Sequence, residues 1–549
     1  MLKRLLSTML LPAAVVAFTP LGQAQAAGPA GQAPAASQAA PAAAVKGPRP
    51  EQFTFAPLAF KPPRPSDHRT VLSNGMVVYI VEDHEIPWFQ AEILSPVAGP
   101  GGGGFGPRGV EAAYDPQQRP GGGGGGGVNG FLEPKDKLGI LALTSTIMRT
   151  GGTATMSGEA IDERMEFLAG TVTSTSLSIH ARHVDEGLKI WMDVLQNPAF
   201  PEDKLRREKE RILIALRNRN RNITTVATRT FNQLVYGEAS PITAEATEAI
   251  TNGITRDDLA AWHRKYWGSN NAILVVAGDF RKAEMLKKLE ATFGGWKAAE
   301  KAAPVYPKVE QAARAGVYMV QPQGATPNQG IIRIGHVGLT RDDPDWAAVD
   351  LMNYTLGGGS FSSRITQIVR NDNGLAYSTS SSFSPEIHYP GVFSAFCQTK
   401  NSTVVFAAQL MMNEIERMRA GDVTEKDLRF AKTARVNAFP SMFSTAFGNI
   451  RNFAELEIEK RPMDYYDTYV SRYEKVTLAD IKRVAQKYLQ ADRMIIMVAG
   501  NIEECKAGAD QALPNQATID AMAARFGGRT IDGLAKKYGD GLVHVVELK

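Results

Sequence analysis

ITRDDLAAWHRKYW, residues 254–267, decides the fold, because the chain repeats it as VTLADIKRVAQKYL at 476–489. In each copy a threonine, Thr255 or Thr477, stands where a hydroxyl can cap a helix, and an amphipathic run follows that ends in Lys-Tyr. Beyond each lies an apolar run ending in Val-Ala-Gly, NNAILVVAGDF at 270–280 and ADRMIIMVAGNI at 491–502, which reads as a buried strand. Thr255 and Thr477, Tyr266 and Tyr488, and Gly278 and Gly500 are all separated by one identical spacing. A looser pair, FPEDKLRREKERI (200–212) and DVTEKDLRFAKTARV (422–436), keeps the order with a shift of about one residue. Such a repeat implies two homologous domains. We place them at 66–295 and 313–505, joined by a Lys/Ala/Pro linker at 296–312 and followed by an extension, 506–549, with a helix near 517–525 and a strand at 542–548. Strands mixed with long helices, without regular βαβ alternation, make each domain α+β.

The remaining composition narrows the function. A chain of 549 residues exceeds one ordinary core, and 44% apolar with 21% charged residues is a globular composition. Net charge is only +4 and the basic residues are scattered, so the electrostatic footprint of a nucleic-acid binder is missing. Lys3 and Arg4 precede an apolar run from Leu5 to Leu21, and Ala24-Gln25-Ala26 has a signal-peptidase pattern. We therefore expect a signal peptide at 1–26 and export, to a bacterial periplasm; Pro12 and Pro20 argue against an anchor, and no later run has the length of a stable membrane span. Residues 27–65, rich in Ala, Pro, Gln and Gly, read as a linker. Strands are expected at Val77–Val81, after the Asn74-Gly75 turn, and at Phe89–Leu94. The glycine tracts within 99–130 lack the Lys-Ser/Thr of a phosphate-binding loop and read as a surface insertion. Cys397 and Cys505 allow one disulfide or two buried thiols, and both options stand.

Three stretches carry a family resemblance. LSNGMVVYIVEDHEIP (72–87), FLEPKDKLGILALTSTIMRTGGT (131–153) and FPEDKLRREKERILIALR (200–217) together resemble the M16 metallopeptidases, the insulinase, pitrilysin and mitochondrial processing peptidase group. The likeness spans about 66–505 and implies two M16-type (LuxS/MPP-like metallohydrolase) domains, each a mainly antiparallel sheet packed with helices. In that family a helix bears His-x-x-Glu-His. Histidines at i and i+4 share one helix face and converge on zinc, and the glutamate takes a proton from zinc-bound water. A glutamate from a later helix completes the ligands. Here the corresponding positions are Ala142, Ser145, Thr146 and Ala215. A methyl group has no lone pair, and a neutral hydroxyl is a poor zinc ligand and no base at pH 7. The resemblance thus implies a half without catalytic zinc of its own. His180, His183 and Glu186 form the only tight His/carboxylate cluster, but a strand reaching Ile179 would make its members diverge. His84 and His388 read as isolated surface residues.

The second domain keeps more. LGGGSFSSRITQIVRNDNGLAYSTSSSF (356–383) matches the family's C-terminal-domain signature, including an arginine and a tyrosine, Arg370 and Tyr377. The resemblance implies that Tyr377 donates to the carbonyl under attack and that Arg370 fixes substrate main chain. A preorganised donor and a rigid cationic fork suit that work. Gly357, Gly358 and Gly359 permit a tight turn with close backbone approach; whether they also touch peptide is open. The expectation is a non-catalytic, substrate-binding subunit, inactive alone, that pairs with an M16 subunit bearing His-x-x-Glu-His and zinc, and holds unfolded peptide. A binding or scaffold protein without proteolytic role is the alternative, and a hydrolase with an unrecognised metal site is a third, weaker one.

Overall fold

The computed structural model describes residues 60–97, 129–324, 326–507 and 515–548. The expected signal peptide and nearly all of the glycine insertion and the first linker lie outside the described residues. Among the described residues, two six-stranded sheets organise the fold. The first contains β1 (Arg69–Val71), β2 (Val77–Glu82), β3 (Trp88–Leu94), β4 (Thr171–Val172), β5 (Ser176–His180) and β6 (Ile273–Gly278), in the order β1-β2-β6-β3-β5-β4. The second contains β7 (Gly316–Val320), β8 (Gln329–Val337), β9 (Thr379–Ser384), β10 (Val392–Lys400), β11 (Ile495–Ala499) and β12 (Val543–Val545), in the order β12-β7-β11-β8-β10-β9.

Apart from the outermost β1 and β12, the two orders are one topology used twice. β2 lies parallel to β6 as β7 lies parallel to β11, and the next three strands of each sheet run antiparallel to their neighbours. The strand expected at 542–548 shrinks to the three residues of β12. β6 and β11 are buried almost throughout, because helices cover both of their faces.

The principal helices are α1 (Ile140–Thr150), α2 (Val184–Gln196), α3 (Glu202–Asn218), α4 (Ile223–Tyr236), α5 (Arg256–Tyr266), α6 (Trp346–Asn353), α7 (Val404–Ala420), α8 (Glu425–Ala438), α9 (Ala446–Ile458) and α10 (Leu478–Tyr488). Thr255 and Thr477 cap α5 and α10 in full capping boxes with Asp258 and Asp480, and Thr424 with Asp427 does the same for α8. Each reciprocal pair satisfies backbone groups that a helix start leaves open.

Two helices cross over. α4, from the first half, packs on β8 and β11 of the second sheet; α9, from the second half, packs on β2 and β6 of the first. Their caps, Asn222 and Thr445, stand a single position off the spacing of the repeat, so the two helices are repeat mates. Val226, Ala227, Phe231 and Val235 of α4 join Ile331, Ile495 and Met497 in one buried cluster. On the other side, Phe453 of α9 sits 6.5 Å from the ring of Tyr79, whose hydroxyl donates to Glu457 at 2.7 Å. Arg69 also binds Glu457, and Arg451 binds Glu92 at 3.0 Å.

Cys397, in β10, and Cys505 are both buried free thiols, so the disulfide option falls away. Burial in apolar surroundings pushes both thiols up to about 12, which keeps them neutral. Among the described residues no helix is long and apolar enough to cross a membrane.

Candidate functional site

The segment between α6 and β9 departs from regular helix at each step. α6 runs into a π-helical turn at Tyr354–Gly358, Ser360 takes a positive φ of 53°, and a second π-helical turn spans Gln367–Asp372. Wide turns and left-handed non-glycine residues cost energy and persist where surrounding contacts enforce them. Here the clasp is Asn353 with Ser381: the amide donates to the Ser381 carbonyl at 3.1 Å, and the Ser381 hydroxyl donates back at 2.7 Å. The three glycines make that approach possible. A Cβ on Gly357 would lie 2.4 Å from the Ser381 nitrogen, one on Gly358 2.7 Å from the Asn353 amide, and one on Gly359 2.7 Å from the Tyr354 carbonyl. All three therefore have a packing role against their own chain.

The winding presents Arg370 outward. Its guanidinium carbon lies 4.4 Å from the ring centre of Phe361 and 4.7 Å from that of Tyr377. Both rings are open to solvent, Phe361 at 58% and Tyr377 at 72%. Stacking on two faces holds the guanidinium by its plane. It makes no hydrogen bond or ion pair among the described residues, so its in-plane donors are free for a ligand. Sequence reasoning singled out Arg370 and Tyr377 but missed Phe361, whose only signal was its place in the GGGSF turn.

The other predicted positions lie on α1 and α3, which pack together. Ser145 is buried, Ala142 and Thr146 are half-buried, and Ala215 is exposed. Among the described residues no group of three or more His, Cys, Asp or Glu side chains is placed to hold a metal. His180 ends β5 and His183 ends the short turn after it, with ring centres 6.2 Å apart. Arg182 donates to both, through its backbone to His180 and its side chain to His183, while the carboxylate of Glu186 is taken by Arg164. His84 is not isolated: it lies 2.7 Å from Asp279 and 3.3 Å from Glu82. His388 stacks on Tyr306 at 4.0 Å. One further residue went unnoticed. Glu133 is half-buried and accepts hydrogen bonds from the Leu141 and Gly139 backbone at the start of α1, at 2.7 and 3.2 Å. Burial, opposed by those two N–H groups, pushes its carboxyl up to about 7.

A doubled α+β topology, with Arg370 and Tyr377 on a clasped turn, is similar to that of the M16 peptidases, and comparison with known proteins agrees. Residues 253–435 match the family described as the peptidase M16 inactive domain. It is 23% identical to the non-peptidase homolog YmxG of Helicobacter pylori over 393 residues, covering 69% of this chain and 88% of that one. It is 22% identical to an uncharacterized zinc protease YmxG of Bacillus subtilis, covering 63% of this chain and 85% of that one. Among solved structures, a peptidase M16 inactive domain from Pseudomonas fluorescens aligns with a TM-score of 0.60 at 22% identity, over 79% of this chain and 97% of that one. A chain of Complex III2 from Candida albicans shares the fold, with a TM-score of 0.55 at 15% identity over 83% of this chain and 99% of that one.

Proposed function

We propose that this chain is the substrate-binding, non-catalytic subunit of an exported M16-type metalloendopeptidase. It holds unfolded peptide through Arg370 and Tyr377 for a partner M16 subunit that bears His-x-x-Glu-His and zinc. The observation that carries this reading is the stacked, otherwise unpartnered guanidinium of Arg370 between two solvent-open rings. A cation fixed in its plane and left with free donors matches a peptide carbonyl, and the exposed Tyr377 hydroxyl can donate to a second one. The apolar and hydroxyl side chains at Ala142, Ser145, Thr146 and Ala215 offer neither a ligand set nor a base, which supports a division of labour with a partner. The likeness to a chain of Complex III2 favours a second reading, a scaffold with no proteolytic role.

Co-expression with an M16 homologue bearing His-x-x-Glu-His separates the two. The first reading expects a stable pair whose peptidase activity falls about a hundredfold with Arg370→Ala and at least tenfold with Tyr377→Phe, the scale seen when one positioned donor is lost. A pair whose activity ignores both changes contradicts it and leaves the scaffold reading.

A further inference from the structure

The internal repeat exposes an asymmetry in charge. In the first sheet Glu92 of β3 pairs across from Val275 of β6, and Arg451 of the crossing helix α9 closes an ion pair on it. At the spacing of the repeat, the mate of Val275 is Met497, and Met497 pairs with Arg333 of β8. At the spacing of the two helix caps, the mate of Arg451 on the other crossing helix is Thr228, and Arg333 donates to the Thr228 hydroxyl at 3.0 Å. One half therefore places an acid against an arginine, whereas the other places an arginine against a neutral hydroxyl.

No carboxylate among the described residues reaches Arg333, and its buried Nε has no hydrogen-bond partner there. Burial lowers its pKa, as expected for a cation out of water without a counter-ion. The rows of the sheet define its surroundings. Arg333 shares a row with Phe396 and Ser380, and the next row on the same face contains Gly335, Ser394 and Ser382. Phe396 lies under the guanidinium at 5.4 Å, and the buried Ser394 hydroxyl has no partner among the described residues. Ser380 and Ser382 are half-buried, so the row opens toward solvent along β9. That strand begins two residues after Tyr377.

We propose that Arg333 and Ser394, flanked by Ser380 and Ser382, form a carboxylate-binding site on the second sheet that takes an acidic group of the held peptide. A carboxylate would accept from the free guanidinium edge and the serine hydroxyls, supplying the charge that Glu92 supplies in the other half. The site deepens the peptide-binding reading and rests on it. The acid can be a side chain or a chain terminus, and the test tells them apart.

Fluorescence anisotropy is measured with an unstructured peptide containing one glutamate, its glutamine counterpart, and C-terminally amidated forms of both. The wild-type chain should bind the glutamate peptide about tenfold more tightly than the glutamine one. If the preference instead follows the free terminus, the site takes a chain end. Arg333→Met should abolish the preference and leave binding of the neutral peptide unchanged, whereas Arg370→Ala should weaken every peptide alike. Thr228→Asp, which places an internal carboxylate against Arg333, should remove the preference without unfolding the chain, and serves if Arg333→Met does not fold. Equal affinity for all peptides, or a preference that survives both variants, overturns the site. If no peptide binds, the peptide-holding reading fails. The anion site is then judged by millimolar glutarate, which must raise the melting temperature of the wild type but not of Thr228→Asp, with neutral glutaramide as control.

Discussion

Glu133 lies in FLEPKDKLG, a stretch without periodicity, and nothing beside it in sequence marks it as structural. Its role appears only when the chain folds back to place the carboxylate over the first N–H groups of α1. The long motif around Arg370 and Tyr377 drew attention to both, and the structure stacks them together, whereas the Phe361 ring on the other face of the guanidinium had no signal, since a lone aromatic in a glycine-serine turn has no pattern to betray it. Glu133 also makes a pH prediction. Its folded pKa of about 7 stands above the ordinary 4.5, so the folded state binds more protons between those values. Its contribution is fully favourable below pH 4.5 and is lost as pH rises through 7. Glu133→Gln keeps an acceptor oxygen and cannot ionise. Urea titrations across that range should show wild-type stability falling by up to about 3 kcal/mol relative to this variant, since a tenfold change in proton affinity is worth about 1.4 kcal/mol. Parallel pH profiles for the two proteins would contradict the assignment.

At the scale of elements, the capping boxes of α5 and α10 and the strands β2, β3, β6 and β11 could be read locally, because a hydroxyl three residues before an aspartate or a short β-branched run is a short-range signal. The exchange of α4 and α9 could not. Their sequences, ITTVATRTFNQLVY and AFGNIRNFAELEI, share little, and which sheet a helix covers depends on partners far away along the chain. The exchange has an energetic consequence. Without α9, the first sheet loses the cover over Tyr79, Val275 and Ala277, and each large apolar side chain left in water costs about 1.5–3 kcal/mol. A few such residues equal the whole stability of an ordinary domain. Residues 60–295 and 313–548 expressed separately should therefore each lack a cooperative thermal transition, and co-expression should return a single complex with one. A cooperative, monomeric first half would contradict the interlocked arrangement.

For the whole molecule, the repeated topology and the two crossing helices make one framework, with the Arg370 turn beside β9 in one half and α1 packed on α3 in the other. On the proposed reading, this framework holds a polypeptide through the donors of Arg370 and Tyr377 and leaves cleavage to a partner. The most direct test is made on the purified chain alone, with zinc added. A labelled unstructured peptide is titrated by anisotropy, and the same samples are then examined by mass spectrometry. Saturable binding of an intact peptide, weakened about tenfold by Arg370→Ala, is the predicted result. Cleavage of the peptide by the lone chain, or binding indifferent to both Arg370→Ala and Tyr377→Phe, would contradict it.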